Sequence, residues 1–425
     1  MEPKRVLLVL TEFPPRIGGM QTHSVYLLRH LAARGYAASV LTYQPTRDVE
    51  VHDWQAIDAQ MPFPVHRILS RIGYWATLQK IEAFARTWKP DLVYCSTVFF
   101  GFLQKSLNIP VLCRSVGNDV MRPWIAWPFK PFSTFLSNRA LERHLYELYE
   151  RFNNPEWIER IVRTQRQVLM QTSARCMSRV IANSEFTAEL LRQIGVREDR
   201  IDIVVGGVDT ARFARPPGTP RDFRRSLGLP ESQWMLMTAC RLVPKKGIDF
   251  LISAFAQLRQ HMPDAHLLIV GAGPKADRFR QLATQYGLNR FVTFAGRVEH
   301  HLMPTYYWAA DVFALASRVH LNRLSGLRDA ETMGRVLCEA NAAEVAVMAA
   351  RSGGIPSVVE HQTNGLLFEP DNIADFVATA RTLRDRPDNT QAMRERGRER
   401  AKQNFDWSII VDAHERSFAR VLSER

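Results

Sequence analysis

A rhythm repeated along the chain constrains it most: a short apolar run, a loop containing glycine or proline, then a stretch with helical apolar spacing. Residues 5–10, RVLLVL, read as a buried strand that breaks at Thr11 Glu12 Phe13 Pro14 Pro15 Arg16 Ile17 Gly18 Gly19 before a helix over about 21–34. Strands follow at 38–42, 92–95, 111–114, 180–183 and 201–205, then at 235–239, 266–270, 291–294 and 312–316, with helices between them. Strands alternating with helices predict βαβ units and parallel sheets. At 425 residues the chain has room for two α/β domains of ordinary size, each with its own core.

Composition narrows the class. A hydrophobic fraction of 46% and a charged fraction of 23% are those of a globular protein. No run approaches the 18 or so apolar residues of a membrane span, and Thr11, Glu12 and two prolines end the first apolar run at once, so it reads as a strand and not a leader. The expected location is cytoplasmic, or peripheral on the cytoplasmic face of a membrane. Cys95, Cys113, Cys176, Cys240 and Cys338 show no metal-ligand spacing and read as reduced core thiols, and no metal site is expected. A net charge of +13 attracts nucleic acid, anionic lipid or a phosphorylated substrate. Nucleic acid is not expected as a partner, because the arginines are dispersed over helices and not clustered with aromatics on one reading surface.

Two groups of residues carry chemistry. In RLVPKKG, Arg241 and Lys246 lie at the carboxyl end of a strand and are joined by a proline turn, so two cations can be aimed at one pyrophosphate. Charge-assisted hydrogen bonds of this kind contribute about 1.5–3 kcal/mol each. Further on, Glu331 and Glu339 stand eight residues apart. If the segment is helical, that puts them about 12 Å apart along the axis, near the ribose-to-sugar span of a folded nucleotide sugar. Met333, Gly334 and Arg335 would then open the helix, where free backbone amides favour a phosphate. Ser352 Gly353 Gly354 ahead of Ile355 Pro356 reads as a second glycine turn leading into a helix.

These motifs resemble those of the family 4 retaining glycosyltransferases: the Glu, seven residues, Glu pattern with its following glycine pair, and RLVxxKG. The likeness covers nearly the whole chain, is strongest over 241–370 and weakest over 121–177. It implies the GT-B fold, two Rossmann-like doubly wound domains facing a central cleft. The boundaries it suggests are 1–205 for an acceptor-side domain, 206–232 for a linker and 233–405 for a donor-binding domain, with a helix at 406–425 crossing back onto the first. It also implies a metal-independent, retaining transfer of a sugar from a nucleoside diphosphate sugar to an acceptor hydroxyl, with no cofactor. The acceptor would be a glycan or lipid-linked, in cell-surface polysaccharide or glycolipid synthesis. By the same likeness Arg241 and Lys246 hold the diphosphate, Glu339 the ribose and Glu331 the transferred sugar, while the amides of Met333, Gly334 and Arg335 cap the distal phosphate. Arg297 and Val298 would meet the nucleobase, and Gly18, Gly19, His23 and Asp119 would lie on the acceptor side. For His23, a purely structural place in its helix stands beside the ligand role.

Departures from the pattern leave alternatives open. Val116 stands where many members have a histidine and can neither take a proton nor donate a hydrogen bond, which motivates a catalytically silent partner subunit as a rival. Glu344 replaces a helix-ending glycine, so it either ends the helix differently or does so at a cost of about 1 kcal/mol. The stretch 121–136, MRPWIAWPFKPFSTFL, precedes two basic helices with apolar stripes at Leu141, Leu145, Leu148, Phe152 and at Ile158, Ile161, Val162, Val168, Leu169. It reads either as an insert with a solvated basic face or as an interfacial patch on an anionic membrane, and a peripheral membrane-binding protein is the second rival.

Overall fold

The structure, a computed structural model, describes residues 4–15, 18–44, 54–130, 139–151, 154–231, 233–321 and 328–424. Parts of three expected features lie outside them: Arg16 and Ile17 of the first loop, 131–136 of the aromatic stretch, and 322–327 of the basic loop ahead of Glu331. The chain divides into two compact units, Met1–Val204 with Val411–Arg425, and Val205–Ile410.

In the first unit seven strands, β1 (Arg5–Leu10), β2 (Ala37–Tyr43), β3 (Val65–Leu69), β4 (Leu92–Cys95), β5 (Val111–Ser115), β6 (Arg179–Ala182) and β7 (Ile201–Ile203), form one sheet. Its order is β3-β2-β1-β4-β5-β6-β7, and every pairing is parallel. The unbroken apolar run of β1 follows from this, since a central parallel strand is covered on both faces and Val6 to Leu10 are all buried. The last helix, Trp407–Ser423, starts in the second unit and ends in the first. There Arg34 bonds Asp412 at 2.6 Å and also pairs with Glu415, while Arg179 bonds Glu424 at 2.8 Å. Leu141, Leu145 and Leu148 are only half-buried, and the fully buried member of that helix is Glu142. Its carboxylate accepts the Trp75 and Ala76 amides at 3.2 and 3.0 Å, so it caps the helix Tyr74–Trp88.

In the second unit β8 (Trp234–Ala239), β9 (Ala265–Val270), β10 (Val292–Gly296), β11 (Val312–Leu315), β14 (Ala346–Ala350) and β15 (Leu366–Phe368) form a parallel sheet of order β10-β9-β8-β11-β14-β15. Between β11 and β14 the pair β12 (His320–Leu321) and β13 (Arg328–Asp329) makes a small antiparallel ladder. Alternation along β8 divides the core, with Leu236 packing into one layer and Met235 and Met237 into the other.

One local expectation needs correction and another is met. The segment 206–232, read as a linker, belongs to the second unit, where it forms the helices Thr210–Phe213 and Pro220–Ser226. Its Arg224 is buried, donating to Ala309 O at 2.8 Å and Gln233 O at 2.6 Å, and bonding Asp311 at 2.6 Å. Proline and arginine are as much at home in a short capped helix as in a tether. Glu344 does end its helix with a glycine-like conformation, φ 57°. The amides of Glu344 and Val345 close back onto Asn341 and Ala340, and Arg398 bonds the Glu344 carboxylate at 2.6 Å, which offsets part of the strain.

Candidate active site

Open parallel sheets leave a crevice where neighbouring strands send their connections to opposite faces, and ligands bind beyond the carboxyl ends there. In the second sheet that point lies between β8 and β11. β8 is followed by Arg241–Lys246, and β11 by Ser317 and the loop to Glu331. The two connections meet: Lys246 Nζ forms an ion pair with Glu331 Oε2, and Ser317 donates to the same oxygen at 3.2 Å. Lys245 bonds Asp329 at 2.9 Å, holding the same loop from the side. Gly247 makes the approach possible, since an added Cβ there would stand 2.1 Å from Ala316 O. Burial disfavours both charges of the Lys246–Glu331 pair. Mutual attraction outweighs it, so the Lys246 pKa is raised and the Glu331 pKa lowered. Arg241 is exposed, within electrostatic reach of Lys246, and pairs with no acid among the described residues.

The helical spacing assumed for the two glutamates does not hold. Glu331 to Met333 lie in a loop, Gly334 is the N-cap with φ 88°, and the helix runs Arg335–Ala342, so the 12 Å rise does not apply. Met333 is buried, its sulfur accepting the Gly206 amide at 3.0 Å. Glu339 lies one turn into the helix and is buried. Tyr307 donates to Oε2 at 3.0 Å, while Arg335 and His300 approach Oε1 at 3.4 and 3.6 Å. Burial opposes its charge, yet His300, Arg335 and Tyr307 together hold its pKa below the usual carboxylate range. His300 is itself reached by Arg212 at 3.2 Å. Sequence reasoning missed this histidine, whose only signal was its place three residues after Arg297. Arg297 is exposed and Val298 packs partly on the core; both follow β10, two strands from β8.

The glycine pair also differs from expectation. Ile355–Ser357 is a three-residue 3-10 turn and not a helix. Added Cβ atoms at Gly353 and Gly354 would stand 2.1 Å from Glu331 O and 1.7 Å from Thr332 O, and the Gly354 amide donates to Glu331 O at 2.8 Å. These glycines therefore fix the backbone of the Glu331 loop.

In the first sheet the order reverses between β1 and β4. A cavity of about 280 Å³ lies there, lined by Thr11 and Glu12 after β1, Ser96 and Thr97 after β4, and Arg71 and Trp124 among others. Val116 and Asp119 also line it. The Asp119 carboxylate is already engaged, by Ser115 Oγ at 2.6 Å, Val98 N at 3.1 Å and Thr97 Oγ1 at 3.3 Å, and burial raises its pKa. Gly18 and Gly19 open the helix Gly19–Ala33, whose Met20 reaches the cavity. His23 is buried elsewhere, its ring 5.2 Å from that of His414.

Two family models match: "Glycosyl transferases group 1" over residues 220–400 and "Glycosyltransferase Family 4" over residues 17–212. A GDP-mannose-dependent alpha-(1-6)-phosphatidylinositol monomannoside mannosyltransferase of Mycobacterium tuberculosis is 38% identical over 208 residues, 48% of this chain and 52% of that protein. The chain thus aligns with about half the length of that relative. Over 96% of both proteins it is 28% identical to the GDP-mannose-dependent monoacylated alpha-(1-6)-phosphatidylinositol monomannoside mannosyltransferase of Corynebacterium glutamicum. Among solved structures, Anabaena HepE in complex with UDP superposes with a TM-score of 0.74 at 20% identity, covering 98% of this chain and 100% of HepE.

Proposed function

Since the chain belongs to glycosyltransferase family 4, the group 1 glycosyl transferases of GT-B fold, we propose that it transfers a sugar from a nucleoside diphosphate sugar to a hydroxyl of a glycolipid acceptor. One observation carries this reading: at the switch point of the second sheet a buried Lys246–Glu331 pair lies beside Arg241, a cation with no acid partner among the described residues. In the reaction the anomeric carbon–oxygen bond to the diphosphate breaks, a bond to the acceptor oxygen forms, and the acceptor proton passes to the departing diphosphate. Charge grows on the departing diphosphate. Arg241 and Lys246 are suited to hold it, and stabilisation that rises along the reaction lowers the barrier. Glu331 would grip the transferred sugar, Glu339 the ribose hydroxyls, and the amides at Gly334 and Arg335 the distal phosphate. Retention of anomeric configuration and independence of metal are part of the proposal, with the two cations in a metal's place. GDP-mannose is the first donor to test and an inositol-containing glycolipid the first acceptor, by the names of the relatives above. The cavity at the first switch point, with Glu12, Arg71 and Asp119 at its wall, is the proposed acceptor side.

A panel of nucleotide sugars screened for thermal stabilisation tests the reading. A donor at 100 times its dissociation constant adds about 2.7 kcal/mol, and a chain unshifted by every one of them would contradict it. Val116 on the cavity wall supports the rival reading of a silent partner subunit. Under it, Lys246→Ala leaves product formation in a reconstituted system unchanged, whereas in an enzyme the rate falls by about two to three orders of magnitude.

A further inference from the structure

A second groove in the Val205–Ile410 unit lies apart from the Lys246–Glu331 centre. It runs between the helices Ile248–His261 and Ala276–Gln285, which pack side by side, and has a volume of about 700 Å³. None of Arg241, Lys246, Glu331 or Glu339 lines it. At about 100° per residue, Arg278, Gln281, Leu282 and Gln285 fall within one arc of roughly 100°, so a single face of the second helix forms one wall. Asp249 and Phe250, in the first turn of the other helix, line the opposite wall. The floor is apolar, with Phe250 buried and Leu282 packed partly on the core. The rim is polar, and Tyr286 at its end is 48% exposed.

Arg318 closes the groove on a third side. It bonds Asp249 Oδ2 and Asp371 Oδ1, each at 2.6 Å, and Asp371 takes that position in a left-handed conformation, φ 58°. The other oxygen of Asp249, Oδ1, is buried and has no hydrogen-bond partner among the described residues. A buried acceptor left without a donor is costly, so an occupant that brings a donor is favoured. Two carboxylates, Asp249 and Asp371, stand against two guanidinium groups, Arg278 and Arg318, and the lining carries no net charge although the chain carries +13. An anion or a cation therefore gains little from its charge there. What the lining offers is hydrogen bonding in the planes of amide, guanidinium and carboxylate groups, beside a phenol ring with an apolar face. A sugar ring matches this, with hydroxyls round its edge and a C–H face for the aromatic ring.

We propose that this groove is a second binding site, for a neutral saccharide, separate from the Arg241–Lys246 centre. One sugar hydroxyl donates to Asp249 Oδ1, Gln281 and Gln285 bond its neighbours, and Tyr286 covers the C–H face. The site goes beyond the proposed transfer reaction and does not rest on it. It shares a backbone with that centre: the Arg318 amide donates to Lys245 O at 2.9 Å, and Ser317 beside it donates to Glu331 at 3.2 Å. A saccharide that fixes the Arg318 side chain thus holds the segment from which Ser317 reaches Glu331.

The test is saturation-transfer NMR of the full chain with two neutral trisaccharides, mannotriose and maltotriose. Transfer to the ring protons of at least one is expected in the parent, and equally in Arg241→Gln, whose exposed side chain belongs to the other centre. Tyr286→Ala should weaken binding roughly fivefold to tenfold, and Gln281→Ala with Gln285→Ala roughly tenfold. Both groove variants should keep the melting temperature and any nucleotide-sugar shift of the parent, because the substituted side chains are exposed. Inorganic phosphate should not displace the sugar. Binding that is lost in Arg241→Gln and kept in the groove variants puts the sugar in the transfer centre and overturns the proposal. So does displacement by phosphate, which would mark an anion site, and so does a parent that binds neither trisaccharide. A chain that binds a trisaccharide through Tyr286 but is shifted by no nucleotide sugar keeps the saccharide site and loses the transferase reading.

Discussion

Replacing Lys246 by methionine should destabilise the second unit more than a surface ion pair would, because the cost falls on the partner left behind. The side chains of Lys246 and Glu331 are only 14% and 13% exposed. At an effective dielectric of about 20, unit charges about 4 Å apart attract by roughly 4 kcal/mol, and stranding one charge of a buried pair costs about 3–5 kcal/mol. Taking about 3 kcal/mol, and about 2–4 °C per kcal/mol for a unit of this size, Lys246→Met should lower the melting temperature by roughly 6–12 °C near neutral pH. Adding Glu331→Gln removes the stranded charge and should return stability to within about 1 kcal/mol of the parent, without restoring turnover of a nucleotide sugar. The sign with pH follows. In the parent the Glu331 pKa is lowered, so the pair contributes fully above the unfolded value of about 4.3 and is lost as pH falls through the folded value. In Lys246→Met burial acts on Glu331 without its main opponent, so the carboxyl takes up a proton at higher pH and the deficit narrows toward pH 5. Calorimetry at both pH values on parent, single and double variants decides. A deficit under about 1 kcal/mol, as for exposed pairs, or a double variant no more stable than the single, refutes the reasoning.

Gly354→Ala sets a Cβ against Thr332 O and should cost about 1–3 kcal/mol while displacing the Glu331 loop, read as a loss of nucleotide-sugar stabilisation larger than the fall in melting temperature explains. Arg224→Ala strands Asp311 and several carbonyls and should cost about 3–5 kcal/mol in chemical denaturation; a neutral result would mean that 206–232 is only a tether. Burial, helped by Arg259 and Arg224, pushes His266 down to about 4, so stability present above pH 6.5 should decline by on the order of 3 kcal/mol as pH falls toward 4. His266→Gln should flatten that slope in melting curves across the window. His300→Ala should weaken nucleotide binding about fivefold to tenfold while leaving the melting temperature of the free chain nearly unchanged, if the imidazole orients Glu339.

The strands at the centres of both sheets were legible because short apolar runs, 6–10 and 234–237, lead into loops that carry proline ahead of a helical stretch. Arg241 and Lys246 were legible as a pair because one short loop holds both. The resemblance gave Lys246 to the diphosphate and Glu331 to the sugar, and nothing in the sequence gave the ion pair that the two form across 85 residues. Four matters were decided only by tertiary structure. Glu331 lies off the helix, since Gly334 and the glycines beneath it set the backbone path. His300 reaches Glu339 across a connection that no periodicity marks. Glu142, beside the expected apolar stripe and not in it, turns inward and accepts the first amides of another helix. Ile161 and Val168 face outward: about 100° per residue sets them roughly 100° round the helix from Val162 and Leu169, and only packing decides which of the two apolar rows meets the core. Local chemistry selects strand, turn and helix from within a few residues. Which distant group meets which is set by the order in which the strands assemble.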